Sequence, residues 1–242
     1  MDQLTQTVLD AHGGVERWNA LHGIEISGSA LGPLWTRKGY HEVFKDISIS
    51  IDCHRQFVSF NPFIETGARS LCTPDETVIE SASGAKSVRA NPRDAFNGQS
   101  FTSAWDPLHL AYFSGYAMWN YLATPFFFTW DGVTTHEMEP WNEHGKTWRR
   151  LVVNFPPDIA AHCQEQTFYV DERGYIMRVD YTSEITNSGP IAHYMWDHAN
   201  IDGIVFPRKR RSLARLEDGA PDVTRVFVEI SLVDIQLHKK IV

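Results

Sequence analysis

The chain opens on a helical period. Leu4, Val8 and Ala11 recur on one face, and Asp2 stands where an N-cap side chain is wanted. Gly13-Gly14 interrupts, and VERWNAL adds a short turn carrying Val15, Trp18 and Leu21, so residues 2–22 are predicted helical. From Gly23 the period changes to two. Ile47, Ile49 and Ile51 alternate with Ser48, Ser50 and Asp52, the pattern of a strand with one buried face. Residues 61–104 are rich in Pro, Gly, Ser, Asn and Asp, with weak strands such as TVIESA, and are predicted to form a long loop-rich connection whose role is unassigned. Beyond residue 130 the pattern is one of hairpins. HEMEPW and TWRRLVVNF flank NEHGK, QEQTFYV and YIMRVDYTSE flank DERG, and IAHYMWDHAN and IVFPRKRRSL flank IDG. VTRVFVEISLVDIQL closes the chain with Val226, Val228, Ile230 and Leu232 on one face.

Between the two halves runs LAYFSGYAMWNYLATPFFFTW, residues 110–130, uncharged and crowded with aromatic rings. Its length would cross a bilayer, but its contents would not. Ser114, Gly115, Asn120, Thr124 and Thr129 interrupt it, Pro125 breaks helical geometry, and no Lys or Arg cluster flanks it. No membrane span is expected. DPLHLAYFSGYAMWNYLAT reads as a helix, opened by Asp106 as N-cap and Pro107 at its first position, and stopped before Pro125. PFFFTW is predicted to run on as an extended segment. Such a stretch serves either as plain core or as the wall of an apolar pocket.

A leading helix, many antiparallel strands and one internal aromatic helix, with no linker, predict a single α+β domain over 1–242. The expected architecture is a strongly curved antiparallel sheet, an incomplete barrel, wrapped around the N-terminal helix and an aromatic plug helix.

Composition narrows the function. Hydrophobic content of 43% with 21% charged residues describes a folded chain. The net charge of −8 speaks against nucleic acid as a partner, and the basic run PRKRR at 207–211 reads as one exposed strand face. Cys53, Cys72 and Cys163 are odd in number and form no CxxC pair, which fits reduced thiols. MDQLTQTVLDAHGG has neither the basic nor the apolar region of a secretory signal, so a cytoplasmic location is expected. The pattern is silent on oligomeric state.

TFYVDERGYIMRVDYT followed by YMWDHANIDGIVFPRKRR resembles the C-terminal half of the lipoprotein-carrier (LolA-like) superfamily. There a strand, DxxG turn and strand precede a strand ending in DGxxFP, here Asp202-Gly203-Ile204-Val205-Phe206-Pro207. AHGGVERWNALHGIEISG likewise resembles the helix that opens many relatives. These are turn signals covering about half of the chain, and they speak to fold more than function. The resemblance implies an incomplete barrel enclosing an apolar cavity for acyl chains. This sequence departs from that family in lacking a signal peptide and a lipobox cysteine, which argues against periplasmic lipoprotein carriage itself. On this reading Phe113, Trp119, Phe126, Phe127, Phe128 and Trp130 are the candidate wall, with Trp196 as a further ligand contact.

No GxSxG, phosphate-binding glycine loop, HExxH or Rossmann fingerprint is present, and no cofactor is expected. His193 and His198, five apart on a strand, point to opposite faces and do not form a local metal site; ligands from distant strands stay open. The candidate chemistry is a set of carboxylate, tyrosine and histidine on neighbouring hairpins: Glu165, Tyr169, Asp180, His193, Tyr194 and His198. Glu165 beside His193 or His198 would move a proton on an apolar substrate, and Tyr169 or Tyr194 would steady negative charge on its oxygen. The plainer alternative is solvated sheet faces with cross-strand pairs such as Glu165 opposite Arg178. Three functions follow: a cofactor-free acid–base enzyme (isomerase, cyclase, lyase or hydrolase), a non-catalytic carrier of an acyl or polyketide-like molecule, or a protein-interaction module using the same groove.

Overall fold

A computed structural model describes residues 2–239. Helix α1 spans Gln3–Ala11, capped by Asp2, whose carboxylate accepts from the Thr5 backbone N–H at 2.9 Å. Helix α2 spans Val15–Asn19, and its Trp18 stacks on Phe126 with centroids 4.4 Å apart. Strand β1 follows over Leu21–Leu31, then a short helix α3 over Pro33–Arg37 that the pattern did not announce. Strand β2, Ile47–Asp52, buries Ile47, Ile49 and Ile51, as the alternation predicts.

The segment 61–104 is not the open connection expected from its composition. After β3 (Val58–Phe60) it supplies β4 (Arg69–Cys72), β5 (Glu76–Glu80), β6 (Lys86–Ala90) and a 3-10 turn over Pro92–Phe96. These strands are short and polar because they run to the sheet's edge, so composition hides them. Helix α4 covers Pro107–Ala123, with the capping box that Asp106 and Pro107 predict, and it ends ahead of Pro125. The next segment corrects another expectation: Phe126–Thr129 is a 3-10 turn rather than extended chain. Its three phenylalanines point into the interior, which a straight strand could not arrange. Seven strands complete the chain: β7 (Thr134–Glu143), β8 (Lys146–Asn154), β9 (Glu165–Val170), β10 (Ile176–Thr182), β11 (Pro190–Ile201), β12 (Ile204–Arg215) and β13 (Pro221–Lys239).

All thirteen strands form one antiparallel sheet in the order β6-β5-β4-β3-β2-β1-β13-β12-β11-β10-β9-β8-β7. The chain lays six strands outward to one edge and then returns from the opposite edge. Its first and last strands pair in the middle, Ile26 opposite Ile235 and Ala30 opposite Ile230. The sheet stays open, and α4 with its flanks carries the chain from the β6 edge to the β7 edge across the concave side. The helix is apolar on every face, as a helix enclosed on every side must be. Gly115 brings it down onto β4, where a Cβ would lie 2.6 Å from that of Cys72. No helix among the described residues is long and apolar enough to cross a membrane.

Candidate ligand-binding cleft

Where α4 leaves the middle of the sheet uncovered, an apolar cleft opens. The centre of a water-sized sphere has ≈ 50 Å³ in which to move there, within ≈ 660 Å³ of non-atom space that includes open solvent. One wall is the α4 face bearing Phe113, Ala117 and Met118. The opposite wall is the concave sheet, with Ala30, Ile47, Phe60, Ile191 and Ile230. Leu34 and Trp35 of α3 lie at one rim. Trp35 is fixed by an indole N–H bond to the Ala30 carbonyl at 2.8 Å and by edge contacts with Phe44 and Phe113.

The cleft's polar residues include a compact set of rings: Tyr121, His162, Tyr181 and His193. His162 bonds the Tyr116 hydroxyl through Nδ1 at 3.0 Å and the Tyr121 hydroxyl through Nε2 at 2.9 Å. A neutral imidazole has one donor and one acceptor nitrogen, so one tyrosine hydroxyl donates a hydrogen bond to the ring and the other accepts one from it. Tyr181 stacks on His162, 4.2 Å between centroids, and its hydroxyl meets His193 Nδ1 at 3.3 Å. Burial, reinforced by the positive field of Arg93, pushes His162 down to about 3. Burial, with Arg210 and His162 adding to it, holds His193 well below its usual value. Burial raises the tyrosines in turn, Tyr121 to about 12. These rings are neutral across the physiological range, and among the described residues no Asp or Glu lines the cleft.

The candidate residues divide unequally between the two faces of the sheet. Phe113 and His193 line the cleft. Tyr169, Asp180 and Tyr194 do not: they sit on the opposite face, around Arg178, while Tyr181 alternates inward. Arg178 is wholly buried. It donates to both oxygens of Asp180 at 2.6 and 2.8 Å, to Glu143 at 2.7 Å, to the Tyr194 hydroxyl at 2.9 Å and to the Gly219 carbonyl at 2.6 Å. Tyr169 donates to Asp180 at 2.7 Å and Tyr194 to Glu143 at 2.8 Å. The network is closed on itself and serves as a clamp between strands. Glu165 is exposed and pairs in register with Asn154, so it faces neither Arg178 nor a histidine. His198 follows Asp197, whose φ of 58° breaks the strand's alternation. Its ring stacks on Tyr175 and its Nε2 meets the Ile176 carbonyl at 3.0 Å.

The expected aromatic wall is core for the most part. Trp119 is fully buried, its indole N–H bonded to the Asp52 carbonyl at 2.9 Å. Phe126 packs on Trp18 and Phe128 on Phe168, while Trp130 leans on Trp119. Trp196 is exposed, with the Arg211 guanidinium over its ring. The residues that do shape the cleft, Trp35, Phe44, Tyr121, His162 and Tyr181, come from five separate segments and share no local motif. Their one visible signal was the uncharged run of α4, which supplies Tyr121. Among the described residues no three His, Cys, Asp or Glu side chains group to hold a metal ion.

The molecule is therefore a large open antiparallel sheet curled around an aromatic helix, with an apolar cleft between them. No family model and no curated protein matches the chain. Solved structures do. It is similar to an outer membrane lipoprotein-sorting protein domain from Vibrio parahaemolyticus, at 10% identity and TM-score 0.57, over 99% of this chain and 93% of that one. It is similar to a LolA superfamily protein from Nitrosomonas europaea, at 12% identity and TM-score 0.55, over 98% and 94%. A DUF1329 family protein from Desulfovibrio piger matches at 10% identity and TM-score 0.52, over 98% and 94%. At such identities the likeness is one of architecture, and the chain has a LolA-like fold.

Proposed function

We propose that the protein is a binding or carrier protein that holds an acyl or similarly apolar molecule in the cleft between α4 and the concave sheet. The observation that carries this reading is the character of the lining: aliphatic and aromatic walls, the uncharged hydroxyls of Ser114, Ser183, Thr186, Ser188 and Ser212, and a small set of neutral polar rings already bonded to one another. Such a site rewards burial of apolar surface at roughly 25 cal/mol per Å² and asks little of the ligand's polar end. The architectural neighbours are consistent with it, one of them being described as a lipoprotein-sorting domain.

The acid–base enzyme reading finds less support. A general acid or base works best with a pKa near the operating pH. His193 is held well below it, His162 lies far below and Tyr121 far above, and the carboxylates of the candidate set, Glu165 and Asp180, stand in solvent or on the other side of the sheet. Equilibrium binding of the uncharged fluorophore N-phenyl-1-naphthylamine, followed by displacement with acyl compounds, tests the carrier reading. Saturable binding displaced by long-chain but not short-chain compounds supports it. Absence of saturable binding, or turnover of the displacing compound, overturns it.

A further inference from the structure

Beyond the Tyr121 ring lies a second, smaller hollow, with ≈ 20 Å³ in which the centre of a water-sized sphere can move; Phe127, Phe168, Val179 and Met195 line it together with polar residues that include Asn120, Gln166 and Arg210. It shares Tyr121, His162 and Tyr181 with the cleft, so those three rings partition one space from the other. Along β12 the same face of the strand leads from Ser212, in the cleft, to Arg210, in the hollow.

Arg210 is the anomaly. It is 4% exposed, yet among the described residues it forms no ion pair. Its described contacts are the Tyr121 carbonyl at 2.7 Å and the face of the Tyr121 ring at 4.9 Å. Burial lowers it only to about 10, so it remains a cation at neutral pH, and its field helps to depress His12, His193 and His198. The comparison with Arg178 is instructive. That buried guanidinium meets two carboxylates. A buried charge left without a counter-charge is costly, and structures pair such charges as a rule. A second demand comes from Asn120: its amide N–H groups are committed to the Tyr116 and Ala160 carbonyls, and its buried Oδ1 has no partner. The hollow thus presents an unpaired cation and an unused acceptor, as a site for an anionic head group arriving with a hydroxyl or a water would.

We infer that the ligand is an anionic amphiphile, its chain in the cleft and its carboxylate or phosphate head against Arg210, with the Tyr121 ring turning aside to admit it. This rests on the carrier reading and specifies its ligand class.

The test compares oleate with methyl oleate, and dodecyl phosphate with dodecanol, as displacers of N-phenyl-1-naphthylamine from the full chain near neutral pH. The charged member of each pair should bind at least 10-fold more tightly, and Arg210→Met should bring the two to within about 2-fold. Preference for oleate alone assigns a carboxylate ligand; preference for dodecyl phosphate alone assigns a phosphate. Equal affinity of charged and uncharged members for the wild-type protein overturns the anion site and leaves the apolar cleft standing. Binding of none overturns the carrier reading beneath it. The wild-type comparison needs no variant to fold. A readout that a merely structural arginine would not give is the melting temperature of ligand-free Arg210→Met. It should equal or exceed that of the wild type, since an unpaired buried charge is removed; a large fall, with the acid–ester preference intact, would mark Arg210 as structural and overturn the assignment.

Discussion

His162 and Tyr181 lie face to face, 4.2 Å between ring centroids and 7° from parallel. With Tyr116 and Tyr121 bonded at its two nitrogens, the imidazole is enclosed by aromatic rings. That enclosure explains why it stays neutral, and it has a consequence for stability. An unfolded chain's histidines take up protons near pH 6.5. In the folded protein His162 resists protonation down to about 3 and His12 to about 4, burial being the main cause in both. Between those values and 6.5 the unfolded state binds more protons than the folded one, so stability falls as pH falls. Each such histidine steepens the fall by up to about 1.4 kcal/mol per pH unit. His162→Gln keeps a donor and an acceptor but cannot titrate. Urea denaturation at pH 7.5, 6 and 5 should show a shallower loss in that variant, and an unchanged slope would contradict the account.

The Arg178 clamp should matter to stability and not to binding. Arg178→Met leaves Glu143 buried without its cation and Asp180 with only the longer 3.5 Å contact to Arg215, and breaking a buried pair in this way costs about 3–5 kcal/mol in comparable cases. Denaturation should register that loss, while the folded variant should bind N-phenyl-1-naphthylamine with affinity within about 2-fold of the wild type. Selective loss of binding would mean that the network serves the cleft after all.

Gly115 should resist replacement despite its place in a helix. Gly→Ala in a helix interior ordinarily gains about 1 kcal/mol. Here the new methyl would stand 2.6 Å from the Cys72 Cβ and 2.7 Å from its sulfur, and overpacking of that kind costs about 1–3 kcal/mol. Gly115→Ala should therefore be net destabilising. In a Cys72→Gly background the same substitution should become neutral or stabilising, and a double-mutant cycle measures the reversal.

Much of the fold was legible in the residues. Alternation located β2, turn chemistry located the hairpins from β7 to β12, and Asp106-Pro107 and Pro125 bracketed α4, because each of these is a local signal. Of the edge strands, β5 shows as the weak strand TVIESA, while β4 and β6 were not legible, since an edge strand needs few apolar residues. The site was less accessible still. Strand parity puts Asp180 and Tyr181 on opposite faces, as the structure has them, but it carries no information on which face is concave. Of the six candidates, Tyr169, Asp180 and Tyr194 lie on the Arg178 side and only His193 lines the cleft. Arg210, as one member of PRKRR, reads as exposed surface; only the folded sheet turns it inward while Arg208 and Arg211 meet Asp197 and Glu229 outside.

Filling the cleft should abolish binding at little cost in stability. Ala117 lies on the α4 face of the cleft and is 4% exposed. In Ala117→Phe the ring enters empty space, so the change should shift stability by less than about 1 kcal/mol, against 1–3 for overpacking a dense core. Affinity for N-phenyl-1-naphthylamine should fall at least 10-fold. A large loss of stability would mean that the space is occupied by packed side chains.

The most direct measurement of the central claim is native mass spectrometry of the purified wild-type protein beside Ala117→Phe, followed by denaturation and identification of what is released. The account predicts a non-covalent adduct on the wild type that is missing from the variant and contains a long apolar chain. Should both proteins retain the same molecule, or should the wild type also stay empty after incubation with long-chain acyl compounds, the cleft would not be a ligand site and the carrier reading would fall.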